Sequence, residues 1–466
     1  MFLDASGCKC VPMTQTIQLP LWLFIVIVLF ATVTALSHFL LPSVRWFFRR
    51  RLEKAVARLN TRLTRPIEPF KLARRHDMIQ RLVYDPQITA AIVEHAHKEG
   101  VPENVAFEQA KRYAREIVPS FSAFTYFGVG IRVARFLANT VYDVRTGLLN
   151  ETALKNVAPD ATVIFVMNHR SNMDYVLVTY LAARASALSY AVGEWARVWP
   201  LSVLIKSMGA YFIRRKSRGA LYRRVLQRYV QMATAGGATQ AIFPEGGLSL
   251  TGRVMPPKLG LLSYVVEAWE ESGREVVFVP VAINYDRVLE DRILISANNE
   301  GSRRFRARIS VILFYILRKG WLRLFGKQMR FGEAAVVFGQ PVALSSYAPK
   351  PDIEVLGADL MHRIESEMPL SFVPVLSRVM LRATAPMDHD ALQQAMQAEI
   401  RAAKTNVLAS RDSIRNISLK AEKHMLLRGL IIETDGMYAM NPAEREVLQF
   451  YANSIEHFYP DAALAP

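Results

Sequence analysis

His169 and Asp174, five residues apart, are the pair in this sequence best suited to moving a proton at neutral pH. The apolar run ATVIFVM ends at Asn168-His169-Arg170-Ser171-Asn172-Met173-Asp174, and YVLVTYLAARA follows with helical spacing. This reads as strand, turn and helix, with His169 at the strand end and Asp174 about one turn into the helix. A carboxylate that holds one imidazole nitrogen leaves the other to take a hydroxyl proton, and it stabilises the imidazolium that forms. Taken alone the spacing is common, and a capping or structural role is the simpler account.

Three further blocks change that balance. Gly209-Ala210-Tyr211-Phe212-Ile213-Arg214-Arg215, Phe243-Pro244-Glu245-Gly246-Gly247 and Val279-Pro280-Val281-Ala282-Ile283-Asn284-Tyr285 follow in order. Each is an apolar strand that ends in glycine, charge or proline, the place where an open α/β sheet gathers its binding residues.

The elements that position these blocks are legible from the pattern. Short apolar runs (ATVIFVM, GAYFI, TQAIFP, REVVFVPVAI, AAVVFG) alternate with helical segments, which predicts an α/β domain over residues 150–347. Residues 42–149 read as a basic segment followed by helices, broken at Asp85-Pro86 and Gly100-Val101-Pro102. Residues 348–466 read as helical again, with LIIETDGMYAMN as a hairpin turning at Asp435-Gly436. Helices with a hairpin also outline a winged helix, but the basic residues cluster elsewhere and no nucleic-acid partner is expected.

With 58 Lys and Arg against 41 Asp and Glu, the net charge of +17 suits a chain working beside anionic lipid, nucleic acid or phosphorylated substrates, and charge alone does not choose among them. Leu19–Leu41 carries no charged residue and is long enough to cross a bilayer, so one transmembrane helix is expected after a short tail, residues 1–18. Arg45, Arg49, Arg50, Arg51, Lys54, Arg58, Arg62 and Arg65 follow it against Glu53 alone, which places the body on the cytoplasmic side. The same run would attract anionic membrane lipid. A second basic stretch, Arg303–Arg330, surrounds ISVILFYIL, too short to span and suited to the interface. Cys8 and Cys10 precede the apolar run and the body has no other cysteine, so no disulfide framework, zinc site or cysteine nucleophile is expected there.

With NHRSNMD, GAYFIRR, FPEGGLSLTGR and VPVAINY in this order, the sequence resembles the glycerol-3-phosphate acyltransferase branch of the glycerolipid acyltransferase family. Tyr175 and the RSNMD form of the first block are closer to that branch than to the lysophosphatidate enzymes. The resemblance extends upstream through RLVYDPQITAAI and YAREI, and downstream through VVFGQPVAL and LQFYANSIEHF. It implies an α/β acyltransferase domain with helical extensions, and a bacterial inner-membrane location. It implies His169 as general base, Asp174 as its orienting partner, and direct attack of a hydroxyl on an acyl thioester. Arg214 and Arg215 match the block that contacts phosphate, Glu245 and Gly246 the block of substrate contacts, and Val279, Pro280 and Val281 a wall of the acyl pocket. No bound cofactor or metal is implied; the acyl donor is acyl-CoA or acyl-carrier protein, and the acceptor is glycerol 3-phosphate.

One departure stands out. Leu248 and Leu250 occupy positions where much of the family has arginine, so Arg253 and Lys258, alongside Arg215 and Arg218, are the candidates to replace that charge. The expected reaction is 1-O-acylation of sn-glycerol 3-phosphate to lysophosphatidate. The alternatives are a lysolipid O-acyltransferase acting on lysophosphatidate or a lyso-ornithine lipid, and a membrane-tethered lipid-binding scaffold without catalysis.

Overall fold

Apolar runs without polar alternation must be buried on both faces, and here they form the middle of a sheet. The structure is a computed structural model that describes residues 20–149, 156–182, 186–193, 201–214, 219–301, 331–347, 349, 351–403, 405 and 414–460. Its strands are β1 (Asp143–Leu149), β2 (Thr162–Met167), β3 (Ser189–Gly193), β4 (Tyr211–Ile213), β5 (Gln240–Ile242), β6 (Val276–Tyr285), β7 (Glu333–Phe338) and β8 (Val342–Ala343). They form one sheet in the order β1-β7-β6-β2-β5-β3-β4, with β8 also beside β6. β6, β2, β5, β3 and β4 run parallel, while β7 and β8 are antiparallel to β6 and β1 runs with β7. Every residue of β2 and of β6 is buried.

Proline is out of place in a central strand because it cannot donate to the ladder. Pro280 in β6 is tolerated because one edge of that strand changes partner beside it. β8 pairs at Val277 and Phe278, and β7 takes over from Val281. The Pro280 carbonyl is used all the same, by the Gly339 N–H at 2.8 Å.

The five runs read as strands are β2, β4, β5, β6 and β7. The helical reading of the region 42–149 does not hold at its end, because Asp143–Leu149 pairs with β7 and opens the sheet ahead of residue 150. That edge strand carries Asp143 and Arg145, and β3 is short and rich in small residues, so neither gives a strong apolar run.

The helices, leaving aside the single turn Pro69–Leu72, are α1 (Leu21–Asn60), α2 (Arg75–Val83), α3 (Pro86–Glu99), α4 (Glu103–Ile117), α5 (Ile131–Val141), α6 (Met173–Leu181), α7 (Leu201–Ser207), α8 (Ala220–Ala235), α9 (Gly260–Ser272), α10 (Asp291–Asn299), α11 (Ile353–Ser366), α12 (Phe372–Arg382), α13 (His389–Ala402), α14 (Ile414–Leu427) and α15 (Arg445–Ala452). A π-helical stretch, Phe124–Gly130, leads into α5. The breaks read from sequence are caps: the Asp85 side chain accepts the Gln87 N–H at 3.0 Å to start α3, and Gly100 ends it at φ +63°. Asp85 also pairs with Arg228 of α8 at 2.8 Å, tying the N-terminal helices to the sheet's own helices. In the C-terminal helical region, Asp435 and Gly436 both take positive φ between the antiparallel strands β9 (Ile431–Thr434) and β10 (Met437–Met440), as a two-residue hairpin requires.

Two compact units are present, Met1–Arg62 and Leu63–Pro466. The first contains α1, a continuous helix of 40 residues on which Leu21, Trp22 and Phe24 through Phe30 are exposed. The expected crossing segment Leu19–Leu41 lies only partly within the described residues, and among these no helix is long and apolar enough to cross a membrane. Cys8, Cys10 and the basic stretch Arg303–Arg330 lie outside the described residues.

Candidate active site

β2 is the middle strand of the β1-β7-β6-β2-β5-β3-β4 order, and its C-terminal end carries the first block. Asn168 closes the strand by copying a backbone pair: its Oδ1 accepts the Ile283 N–H at 2.8 Å and its Nδ2 donates to the Ile283 carbonyl at 2.9 Å. The chain then turns and starts α6, putting His169 and Asp174 side by side. His169 Nδ1 lies 2.8 Å from Asp174 Oδ2, and both side chains are buried. That same oxygen accepts the backbone N–H groups of Arg170 at 2.7 Å and Ser171 at 3.0 Å. Asp174 Oδ1 accepts the Tyr285 hydroxyl at 2.5 Å. With Nδ1 facing the carboxylate, Nε2 makes no hydrogen bond among the described residues.

The turn is braced from three sides. Glu290 receives the Ser171 hydroxyl at 2.8 Å and the Asn172 amide at 3.1 Å. Glu245 takes the His169 backbone N–H on Oε1 at 2.7 Å and the Met255 N–H on Oε2 at 3.2 Å. Burial pushes the Glu245 carboxyl up to about 8, against the pull of those two donors. Arg170 is buried, donates to the Gly252 carbonyl and lies 5.3 Å from the Phe450 ring centroid. The imidazole packs against the Phe243 ring at 4.2 Å and meets the edge of Tyr175 at 5.4 Å between centroids.

His169 lines a cavity of about 270 Å³ together with Tyr175, Arg214, Gly246 and Lys258. Arg214 follows β4 and forms a fork with Glu116 of α4, Nε to Oε1 at 2.8 Å and Nη2 to Oε2 at 2.6 Å. Those bonds raise its already high pKa, so it is a fixed cation. Its Nη1 makes no hydrogen bond among the described residues. Gly246 has φ +65°, and its bare Cα leaves room for the Lys258 side chain.

Of the residues read from sequence, His169, Arg214, Gly246 and Lys258 come together at this cavity and Asp174 stands behind His169. Glu245 is buried beneath the turn, holding backbone. Arg253 is turned away from the cavity, exposed and paired with Glu456 at 2.5 Å. Arg215 and Arg218 lie outside the described residues. Leu248 is buried and Leu250 packs against the core, so both leucines fill space. Val279 and Val281 are core residues of β6 at full burial and line neither this cavity nor the apolar cleft beyond Tyr175. Neither the role of Tyr285 nor that of Glu290 is visible in the sequence. Tyr285 ends the fourth block, so its position was visible while its partner was not; Glu290 carries no motif at all.

Residues 149–284, which hold His169, Asp174, Arg214, Gly246 and Lys258, match the family model described as Acyltransferase. The chain is 31% identical over 284 residues to a glycerol-3-phosphate acyltransferase of Pseudomonas putida and 32% identical over 280 residues to one of Ectopseudomonas mendocina. Each alignment takes in 59% of this chain and 32% of the relative, so the chain spans about a third of the length of the curated relatives it matches. The crystal structure of a 1-acyl-sn-glycerophosphate acyltransferase, PlsC, from Thermotoga maritima aligns over 62% of this chain and 95% of its own, at 18% identity and a TM-score of 0.32.

Proposed function

We propose that this chain transfers a fatty acyl group from a thioester, acyl-CoA or acyl-carrier protein, to the 1-hydroxyl of sn-glycerol 3-phosphate, giving lysophosphatidate. The observation that carries this reading is the buried His169–Asp174 pair at a cavity that also holds two cations, Arg214 and Lys258. The acceptor's phosphate sits against Arg214 Nη1 and Lys258, which brings its hydroxyl toward Nε2 of His169. Nε2 takes the hydroxyl proton as the oxygen bonds to the thioester carbonyl carbon. The carbon–sulfur bond then breaks, and the imidazolium returns the proton to the departing thiolate. Asp174 keeps the ring oriented and stabilises its charged form throughout. No covalent enzyme intermediate is required.

The organisation proposed is a short tail at 1–18, a single membrane-crossing helix at 19–41, a basic and helical region at 42–149, the acyltransferase domain at 150–347 and a helical region at 348–466. The uncharged run Leu19–Leu41 and the exposed apolar side chains at the start of α1 support the anchor. The arginines after it favour a cytoplasmic body against an anionic inner-membrane leaflet.

Purified full-length protein in detergent, offered glycerol 3-phosphate, glycerol and lysophosphatidate with acyl-CoA and acyl-carrier-protein donors, tests the assignment by product mass. Glycerol 3-phosphate should be acylated, glycerol hardly at all, and His169→Ala should lower turnover by about 10² to 10⁴. Equal use of glycerol and glycerol 3-phosphate would remove the phosphorylated acceptor. An alanine variant that kept a tenth of wild-type turnover or more would remove His169 as the base.

A further inference from the structure

We infer that Tyr285 is a positioning residue of this site, its hydroxyl setting, through Asp174, how tightly the carboxylate holds the His169 ring. The inference rests on reading His169 as the base and adds a third member to the pair.

Asp174 divides its two oxygens between different duties. Oδ2 faces His169 Nδ1 and the backbone donors of Arg170 and Ser171. Oδ1 has the Tyr285 hydroxyl, at 2.5 Å, as its hydrogen-bond partner among the described residues. Tyr285 is fully buried at the C-terminal end of β6, and β6 lies parallel beside β2, so the sheet itself fixes the distance from the phenol to the turn. The Tyr142 ring packs against it at 5.2 Å between centroids, and the Tyr142 hydroxyl holds the Arg287 carbonyl at 2.7 Å, just past the strand. Burial and the neighbouring Asp174 charge keep the Tyr285 phenol far above its ordinary range, so it remains a donor wherever the enzyme works.

A carboxylate shares its negative charge among its donors. A short bond from a phenol draws charge toward Oδ1 and leaves less on Oδ2 for the imidazolium. Without it, Asp174 stabilises the charged ring more strongly, and His169 stays protonated to higher pH. The aspartate also loses the bond that fixes its plane. The other ionisable groups around this carboxylate are Arg170, Glu245, Glu290 and Tyr142. Since these also shape a pH profile, the informative quantity is the difference between wild type and variant.

The test is Tyr285→Phe in the full chain, which keeps the ring and removes only the hydroxyl. Expected are a fall in kcat of about tenfold, with the KM of both substrates unchanged, and an acid limb of kcat/KM moved to higher pH. In the proton NMR spectrum, the downfield His169 Nδ1–H resonance, assigned by its loss in His169→Ala, should move further downfield. A fall in kcat with limb and resonance both unmoved would reduce Tyr285 to packing and overturn the inference. Should the phenylalanine variant not fold, 3-fluorotyrosine at 285 keeps shape and hydroxyl while donating more strongly, and should move the resonance the opposite way. No movement there also overturns it. A resonance that moves while the acid limb stays fixed upholds Tyr285's hold on Asp174 and removes His169 as the base instead.

Discussion

Lys258 lies across Gly246 so closely that a Cβ on the glycine would sit 2.7 Å from Lys258 Cδ. The backbone N–H of Lys258 donates to the Pro244 carbonyl at 2.7 Å, so the lysine cannot retreat as a unit. A side chain at position 246 must therefore push the ammonium out of the cavity it shares with His169. The φ of +65° adds strain for any L side chain. Gly246→Ala should raise the glycerol 3-phosphate KM about tenfold, with a stability loss of about 1 kcal/mol or more. Steady-state kinetics with both substrates varied, and urea unfolding, measure the two effects. An unchanged acceptor KM would place Lys258 outside the phosphate site.

Arg214 and Arg253 separate cleanly in this structure. Arg214 lines the cavity and is fixed by its fork with Glu116, whereas Arg253 is an exposed partner of Glu456. Losing a charge-assisted contact costs about 1.5 to 3 kcal/mol, so Arg214→Ala should raise the acceptor KM by about ten- to a hundredfold. The thioester KM should change little. Arg253→Ala, an exposed pair, should leave both KM values within about twofold. Equal effects of the two substitutions would mean that the phosphate lies elsewhere.

Sequence made the middle of this site legible because its residues are local. His169, Asp174 and the strand before them fall within one short run, and apolar strands such as TVIFVM announce themselves. The partners that hold the pair come from elsewhere: Tyr285 lies 111 residues from Asp174 and Glu290 lies 119 residues from Ser171. Only the folded sheet brings β6 beside β2. Glu245 was placed among substrate contacts by its block, yet both carboxylate oxygens are spent on backbone donors. Arg253 has the charge and the nearness in sequence for a phosphate contact, yet it is exposed and paired with the C-terminal residue Glu456. Edge strand β1 was missed because a strand that pairs on one side tolerates Asp143 and Arg145.

The N-terminal unit and the remainder of the chain divide at Arg62 and Leu63. Since every motif lies after that point, deleting residues 1–62 should leave the unit from Leu63 able to unfold cooperatively and to acylate glycerol 3-phosphate in detergent. Bilayer attachment should fall sharply. Binding that remains, through the basic stretch Arg303–Arg330, should weaken with salt, because exposed charges are screened over about 10 Å at 0.1 M. Flotation with vesicles containing anionic lipid, at low and high salt, reads both parts. Full retention that ignores salt would show insertion beyond the segment proposed here.

Glu245 should give this protein a pH-dependent stability with a definite sign. Its carboxyl is pushed up to about 8 by burial, while in the unfolded chain it titrates near the ordinary 4.5. Between those values the folded state keeps a proton that the unfolded state has lost, so the group's contribution is fully present below about 4.5 and is lost as pH rises through about 8. Across that window the slope from this one group approaches about 1.4 kcal/mol per pH unit, always toward lower stability at higher pH. Glu245→Gln cannot ionise, and it preserves the size of the side chain while keeping one acceptor for the His169 N–H. In urea midpoints at pH 5, 6, 7, 8 and 9 the wild type should therefore fall relative to the variant as pH rises, mainly between 5 and 8. Two curves that stay parallel over the whole range would mean that Glu245 is ionised in the folded protein throughout, and that the donors from His169 and Met255 outweigh its burial.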